Sequence, residues 1–181
     1  MEPLFTPAFT TDDLFATLRD NAPWVNVQNA PRNECFMALD TSLTYSYGRA
    51  ARDRTYTAAP MHPGVVALMA RINAHCGTAY NVAVLNYYLD QRNHLGWHSD
   101  DSPEQDPTHP IAVVSFGAER ELWVKAKDHK GPIPMEDRYL LTVGSLFVMP
   151  PGFQDDYFHK IPKCDHVCGG RISLTYRKLD R

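Results

Sequence analysis

No apolar run in this 181-residue sequence approaches the roughly 20 residues needed to cross a bilayer, and the longest are broken by Ser, Lys or Pro. A soluble protein is expected, located in the cytoplasm or, in a eukaryote, the nucleus. An N-terminal apolar segment of signal-peptide type is also lacking. The four cysteines, Cys35, Cys76, Cys164 and Cys168, fall at irregular spacings. A disulfide-stapled secreted domain is therefore disfavoured, and reduced thiols are expected. Positive charge is not in excess: 18 Lys and Arg against 21 Asp and Glu leave a formal charge of -3. That balance disfavours strong non-specific duplex binding by a global field. It leaves room for a local basic surface at Arg49, Arg52, Arg54, Lys125, Lys127 and Lys130, which otherwise form a solvated face. With no repeat, low-complexity tract or linker, one domain over residues 1–181 is the expectation.

What is present divides into a helical beginning and a strand-rich remainder. Thr11-Asp12-Asp13 before Leu14, Phe15 and Leu18 reads as a capped amphipathic helix, with its acids placed against the positive end of the dipole. A second helix is predicted over 63–75, with Val65, Leu68, Met69, Ile72 and Cys76 on one face and Gly77 as its stop. Beyond Gly77 the apolar period shortens to two. Strands are predicted over 82–89, 94–100, 111–116, 121–127, 139–143, 145–149, 156–161 and 171–178, with turns at Gly117-Ala118-Glu119-Arg120 and at Gly144. Strands in this number after two helices predict an α+β, mostly β fold. Its core would be a double-stranded β-helix of the jelly-roll, cupin-like type over 81–181, with residues 1–80 as helical support and lid.

Residues two apart in a strand share a face, so Trp97-His98-Ser99-Asp100 can turn an imidazole and a carboxylate toward one point. His159, flanked by aromatic and apolar neighbours, is the candidate third donor. Two His and one carboxylate suit the facial triad of non-haem Fe(II) oxygenases; catalytic zinc takes the same donors. The segment from Arg171 to Arg177 alternates so that Arg171, Ser173, Thr175 and Arg177 share one face. Buried guanidinium groups need partners, and a dicarboxylate would satisfy both. Six residues of strand separate them by about 20 Å at 3.3 Å per residue, so either one reaches inwards or each serves a different end of the ligand. Asn86 and Tyr88, on a face with Val82 and Val84, could add hydrogen bonds to a buried carboxylate.

Asn86-Tyr87-Tyr88, Trp97-His98-Ser99-Asp100-Asp101, Ser115-Phe116-Gly117, Gly144-Ser145-Leu146, His159 and the Arg171/Arg177 pair together closely resemble the AlkB family of Fe(II)/2-oxoglutarate-dependent dioxygenases. The resemblance implies that His98, Asp100 and His159 bind iron. It implies that Arg171 and Tyr88 hold the distal carboxylate of the cosubstrate 2-oxoglutarate, and that Arg177 and Asn86 lie near the metal-proximal end. Upstream, Leu43-Thr44-Tyr45-Ser46-Tyr47-Gly48 looks like the family's nucleotide-recognition lid, with Tyr45 and Tyr47 as the rings that face a methylated base. Asp101 is similar to the family acid that reads the base edge, and Trp97 joins the candidate substrate-binding residues. The activity implied is O2-dependent demethylation of bases such as 1-methyladenine and 3-methylcytosine in DNA, releasing formaldehyde, succinate and CO2. RNA demethylation and hydroxylation of a protein or small molecule are alternatives, as is a metal-binding module without turnover.

The chain also departs from the family pattern. Ser173 stands where members commonly carry Asn, so a bond to the cosubstrate would be shortened or water-mediated. The segment 24–34, where duplex-acting members carry a base-replacing finger, is short, and Lys163 is the single lysine of the loop before the last strand. Flipping a base out of a duplex costs a few kcal/mol that a single strand does not demand. The expected partner is therefore single-stranded alkylated DNA or RNA, bound by a monomer with no membrane partner. Cys164, His166 and Cys168 read as reduced loop residues rather than as a zinc site.

Overall fold

The computed structural model describes residues 3–10, 13–26, 30–46 and 54–180. In chain order its elements are β1 (Leu4–Thr6), α1 (Phe15–Asn21), β2 (Asn33–Ala38), β3 (Thr44–Ser46), β4 (Thr55–Thr57), β5 (Ala59–Pro60) and α2 (Pro63–Cys76). There follow β6 (Val82–Tyr88), β7 (Leu95–His98), β8 (Ile111–Gly117), β9 (Arg120–Ala126), β10 (Arg138–Leu141), β11 (Leu146–Met149), α3 (Phe153–Asp156), β12 (Tyr157–Ile161) and β13 (Arg171–Arg177).

Two sheets face each other. The larger has the order β1-β11-β8-β13-β6-β2-β5 and is antiparallel except for the β2–β5 pair. The smaller, antiparallel throughout, runs β10-β9-β12-β7. Between them lies an apolar layer in which Ile111, Val113, Phe147 and Met149 of the large sheet meet Leu122, Val124, Leu141 and Ile161 of the small one. The outer face of the large sheet is covered by α1 and α2, whose Leu18, Val65, Leu68, Met69 and Ile72 pack on Ala83, Leu85, Ile172, Leu174 and Tyr176. The result is the helix-buttressed jelly roll that the alternation predicts.

Local chemistry sets the boundaries. Helix α2 begins where the His62 ring accepts a bond from the Gly64 amide (3.1 Å), with Pro63 in its first turn, and ends at Gly77, whose φ of 65° is left-handed. The β8–β9 hairpin turns at Gly117, where φ is 84° and a Cβ would sit 2.4 Å from the Gly170 carbonyl oxygen. Strand β7 is shorter than predicted: it stops at His98, and the Asp100 amide donates instead to Gln154 Oε1 (2.8 Å). Asp156, predicted to open a strand, instead ends the short helix α3, and β12 begins at Tyr157.

The first 80 residues contribute more than helices and a lid. Strands β1, β2 and β5 extend the large sheet at both edges, and β3 and β4 form a separate two-stranded ribbon. At 2–6 residues each, these strands are too short to show a clear period. The predicted cap residues Thr11 and Asp12 lie outside the described residues.

Leu174, fully buried at the centre of the helix-facing layer, is expected to cost about 2–5 kcal/mol when cut to Ala. Leu140→Ala, at a side chain 48% exposed, is expected to stay within about 0.5 kcal/mol. Urea unfolding of both variants measures the difference.

Candidate active site

Strands β7 and β12 pair with His98 opposite His159, which brings the two imidazoles to a centroid distance of 4.1 Å. Asp100, two residues beyond, completes the group. Its Oδ1 lies 3.6 Å from His98 Nε2 and its Oδ2 lies 3.8 Å from His159 Nε2. All three donors fall within 4.8 Å of one another, an arrangement that could hold a metal ion. His98 Nδ1 sits 2.9 Å from the Gly96 carbonyl oxygen. Donation there would fix the tautomer and direct the Nε2 lone pair at the shared point.

The charges of the three residues suit a cation. Burial by itself would raise the Asp100 carboxyl, but Arg177 and the two imidazoles outweigh it and hold the group at about 2. Burial, reinforced by His98 and Arg177 against the pull of Asp100, pushes His159 down to about 3. Burial lowers His98 as well. At neutral pH the site therefore presents one carboxylate and two neutral imidazoles, the protonation states that metal ligation requires.

One cavity is lined by these three residues together with Asn86, Tyr88, Arg171, Ser173 and Arg177, and its walls are completed by apolar side chains that include Leu95, Val113 and Leu122. Strand β13 lies between β6 and β8, pairing Ser173 with Asn86 on one side and with Ser115 on the other. Its inward face carries both arginines, which serve opposite ends of the cavity. Arg177 Nη2 pairs with Asp100 Oδ1 at 2.8 Å, beside the metal ligands. At the far end Arg171 Nη2 donates to Ser115 Oγ (2.9 Å), and its guanidinium lies 5.1 Å from the Tyr88 ring centroid.

Arg171 is what separates an oxygenase site from a bare zinc site. It is 1% exposed, no carboxylate pairs with it among the described residues, and its Nε and Nη1 lack a hydrogen-bond partner there. Burial first, then the neighbouring Arg120, lowers it to about 10 against the favourable influence of Tyr88, so it stays charged at neutral pH. A buried guanidinium in that state requires an anion. A carboxylate reaching from the metal end would satisfy it, so iron and 2-oxoglutarate fit the residues present.

The expected substrate-side residues are placed less uniformly. Tyr45 is 1% exposed, packs against Phe36 and Tyr56, and bonds its hydroxyl to Arg177. The ring expected to face a base is thus turned inward, because alternation along β3 points it into the apolar cluster beneath the ribbon. Tyr47 lies outside the described residues. Asp101 borders a cleft with Asp100, Ser102, His109 and Gln154. Trp97 lines neither of these two cavities, and Lys125 and Lys160 lie over its ring at 4.9 and 4.7 Å on the outer face of the small sheet. Neighbours in a strand point to opposite sides, so a ligand at His98 turns Trp97 away.

Several supporting residues escaped the sequence reading. Arg32 Nε donates to Asn86 Oδ1 (2.6 Å), leaving the amide nitrogen of Asn86 as the group it can offer the cavity. Glu34 Oε1 lies 2.5 Å from Arg32 Nη2, and Tyr56 donates to the same carboxylate. Arg120 lies over the Tyr88 ring and donates to the carbonyls of Asn93 and Pro162. The spacing of Arg32 and Glu34, two apart at the head of an apolar strand, was the available signal.

A family model described as the 2OG-Fe(II) oxygenase superfamily matches residues 5–177, and the chain belongs to that superfamily. Within it the chain is similar to the DNA oxidative demethylase ALKBH2 of Mus musculus, 34% identical over 144 residues that cover 77% of this chain and 59% of that one. The ALKBH2 of Arabidopsis thaliana is 33% identical over 168 residues, 81% of this chain and 52% of that one. The alpha-ketoglutarate-dependent dioxygenase alkB homolog 3 of Rattus norvegicus is 28% identical over 188 residues, 98% and 62% respectively. The chain thus spans between about half and two thirds of the length of these relatives. They carry the AlkB resemblance drawn from the motifs. No helix among the described residues is long and apolar enough to cross a membrane.

Unfolded imidazoles take up protons near 6.5, whereas folded His159 does so only near 3. Between these values the unfolded state binds more protons, so stability is lost as pH falls below about 6.5. The melting temperature of the metal-free protein is expected to drop steadily from pH 7 to pH 4, and His159→Gln to flatten that decline. Identical slopes for the two proteins would contradict the assignment.

Proposed function

We propose that this chain is an Fe(II)/2-oxoglutarate-dependent dioxygenase that removes methyl groups from N-alkylated bases such as 1-methyladenine and 3-methylcytosine in DNA, with single strands preferred. In this reading residues 1–181 act as one catalytic domain. The observation that carries it is a single cavity with a neutral-imidazole and carboxylate triad at one end and a buried, anion-demanding Arg171 at the other. The name of the similar ALKBH2 relatives, DNA oxidative demethylase, supports DNA as the substrate class.

His98, Asp100 and His159 would hold the iron. Arg171 would grip the distal carboxylate of 2-oxoglutarate beside Tyr88, and Asn86 and Ser173 would donate along its length. Arg177 would keep Asp100 oriented and ionised. Bound iron, 2-oxoglutarate and O2 supply the oxidation of an N-methyl C–H bond, so that the methyl carbon departs as formaldehyde and the cosubstrate as succinate and CO2. The apolar wall of Leu95, Val113 and Leu122 would exclude water around the reacting centre. The single-strand preference draws support from the segment before the lid. Val25 and Glu34 exchange backbone bonds of 2.8 and 3.0 Å, closing it within ten residues and leaving little chain to fill the gap of a flipped base.

Incubation with Fe(II), 2-oxoglutarate and 15-mers carrying one 1-methyladenine, as single and double strands of DNA and RNA, tests the proposal. Formaldehyde release is expected to be fastest on single-stranded DNA and absent in His98→Ala. Full activity in that variant, or succinate formation with no base change on any oligonucleotide, contradicts it. Arg171→Gln is expected to weaken 2-oxoglutarate by roughly 30-fold or more, since losing one partner of a buried charge pair costs about 2–5 kcal/mol. Its KM for the cosubstrate is the readout.

A further inference from the structure

The outer face of the small sheet is unlike the rest of the molecule. Strand alternation there gathers Trp97 of β7, Phe158 and Lys160 of β12, Trp123 and Lys125 of β9, and Arg138 of β10. The cations lie over the rings: Lys160 at 4.2 Å from Trp123 and 4.7 Å from Trp97, Lys125 at 4.9 Å from Trp97, and Arg138 at 4.3 Å from Trp123. Lys127, just past β9, sits 5.1 Å from the Phe158 ring. A cation held over a ring keeps its charge and is fixed in place while its outer side stays open to solvent.

In a chain of formal charge -3 this concentration is local. Glu121 is the acid of the ladder, and it accepts from Trp123 Nε1 at 2.6 Å rather than pairing with a lysine. Arg138 likewise donates to the Ile133 carbonyl oxygen (2.6 Å) and to no carboxylate among the described residues. The face is continuous with the catalytic mouth. Lys127 Nζ donates to the Gln154 carbonyl (2.7 Å), and the Gln154 side chain accepts from the Asp100 amide (2.8 Å). Strands β7 and β12 carry iron-ligand candidates on one side and this ladder on the other.

Alternating cations and half-exposed rings are what a polynucleotide single strand needs, phosphates on the one and bases against the other. We propose that this face binds the stretch of single-stranded DNA flanking the target nucleotide, with Lys125, Lys127, Lys160 and Arg138 on its phosphates and Trp97, Trp123 and Phe158 against its bases. The inference rests on nucleic acid being the substrate.

Fluorescence anisotropy of the full chain with unmodified, labelled dT15 tests it without turnover. Removing two phosphate contacts by K125Q/K127Q is expected to reduce the slope of log affinity against log salt by about 1.4, at about 0.7 per contact on a single strand. W123S is expected to weaken dT15 by about fivefold or more through lost stacking while leaving binding of polyglutamate unchanged. In activity assays K125Q, at a side chain apart from the Gln154–Asp100 link, should raise KM for a methylated 15-mer and leave turnover of a methylated mononucleotide as in the parent. If no oligonucleotide is demethylated but dT15 binding responds as stated, the platform stands and the proposed chemistry fails. If both variants bind dT15 with the parent's affinity and salt slope, or if polyglutamate binding falls in parallel in W123S, the face merely shields its rings and the inference is overturned.

Discussion

Strand β13 is hydrogen-bonded on both edges, to β6 and to β8, while its two faces meet different surroundings. One face supplies Ile172, Leu174 and Tyr176 to the layer beneath the helices; the other turns Arg171, Ser173, Thr175 and Arg177 into the cavity. A register slip of one residue would exchange these sets and bury two guanidinium groups under α2. The apolar helices and the polar cavity therefore depend on the same pairing, and each helps to hold the other in register.

Charge inside the cavity is distributed unevenly. Arg177 has a carboxylate at 2.8 Å and a tyrosine hydroxyl, so its burial is largely offset within the protein. Arg32 and Glu34 balance each other in the same way behind Asn86. Arg171 has a serine and an aromatic face but no counter-charge among the described residues, and Arg120 stands nearby with its own cation directed at backbone carbonyls. A buried charge with that deficit destabilises the empty site and favours a bound anion.

The strand alternation was legible because long strands obey a period of two. Val82, Val84, Asn86 and Tyr88 emerge on one face, and the helix face of Val65, Leu68, Met69 and Ile72 is buried as a unit. The strands of the first 80 residues were not legible, because most are two or three residues long, β2 is buried along nearly its whole length, and their partners lie far along the chain. Tyr45 shows a different limit. The resemblance implied a ring that faces a base, but whether a ribbon's aromatic face turns out or in depends on what lies beneath it, here Phe36, Val84 and Arg177.

Residue order by itself determined the class of fold, the candidate donors of a metal site and the polar face of β13 that carries both arginines, since each follows from alternation and side-chain chemistry within its own segment. Only the tertiary structure decided that the two arginines serve opposite ends of one cavity and that Asp100 is held by Gln154 outside a strand. It also decided that Trp97 joins lysines from two other strands on the opposite side of the sheet. Those relations depend on how strands distant in sequence pair, and pairing is set by the summed burial of the two sheets rather than by any local pattern.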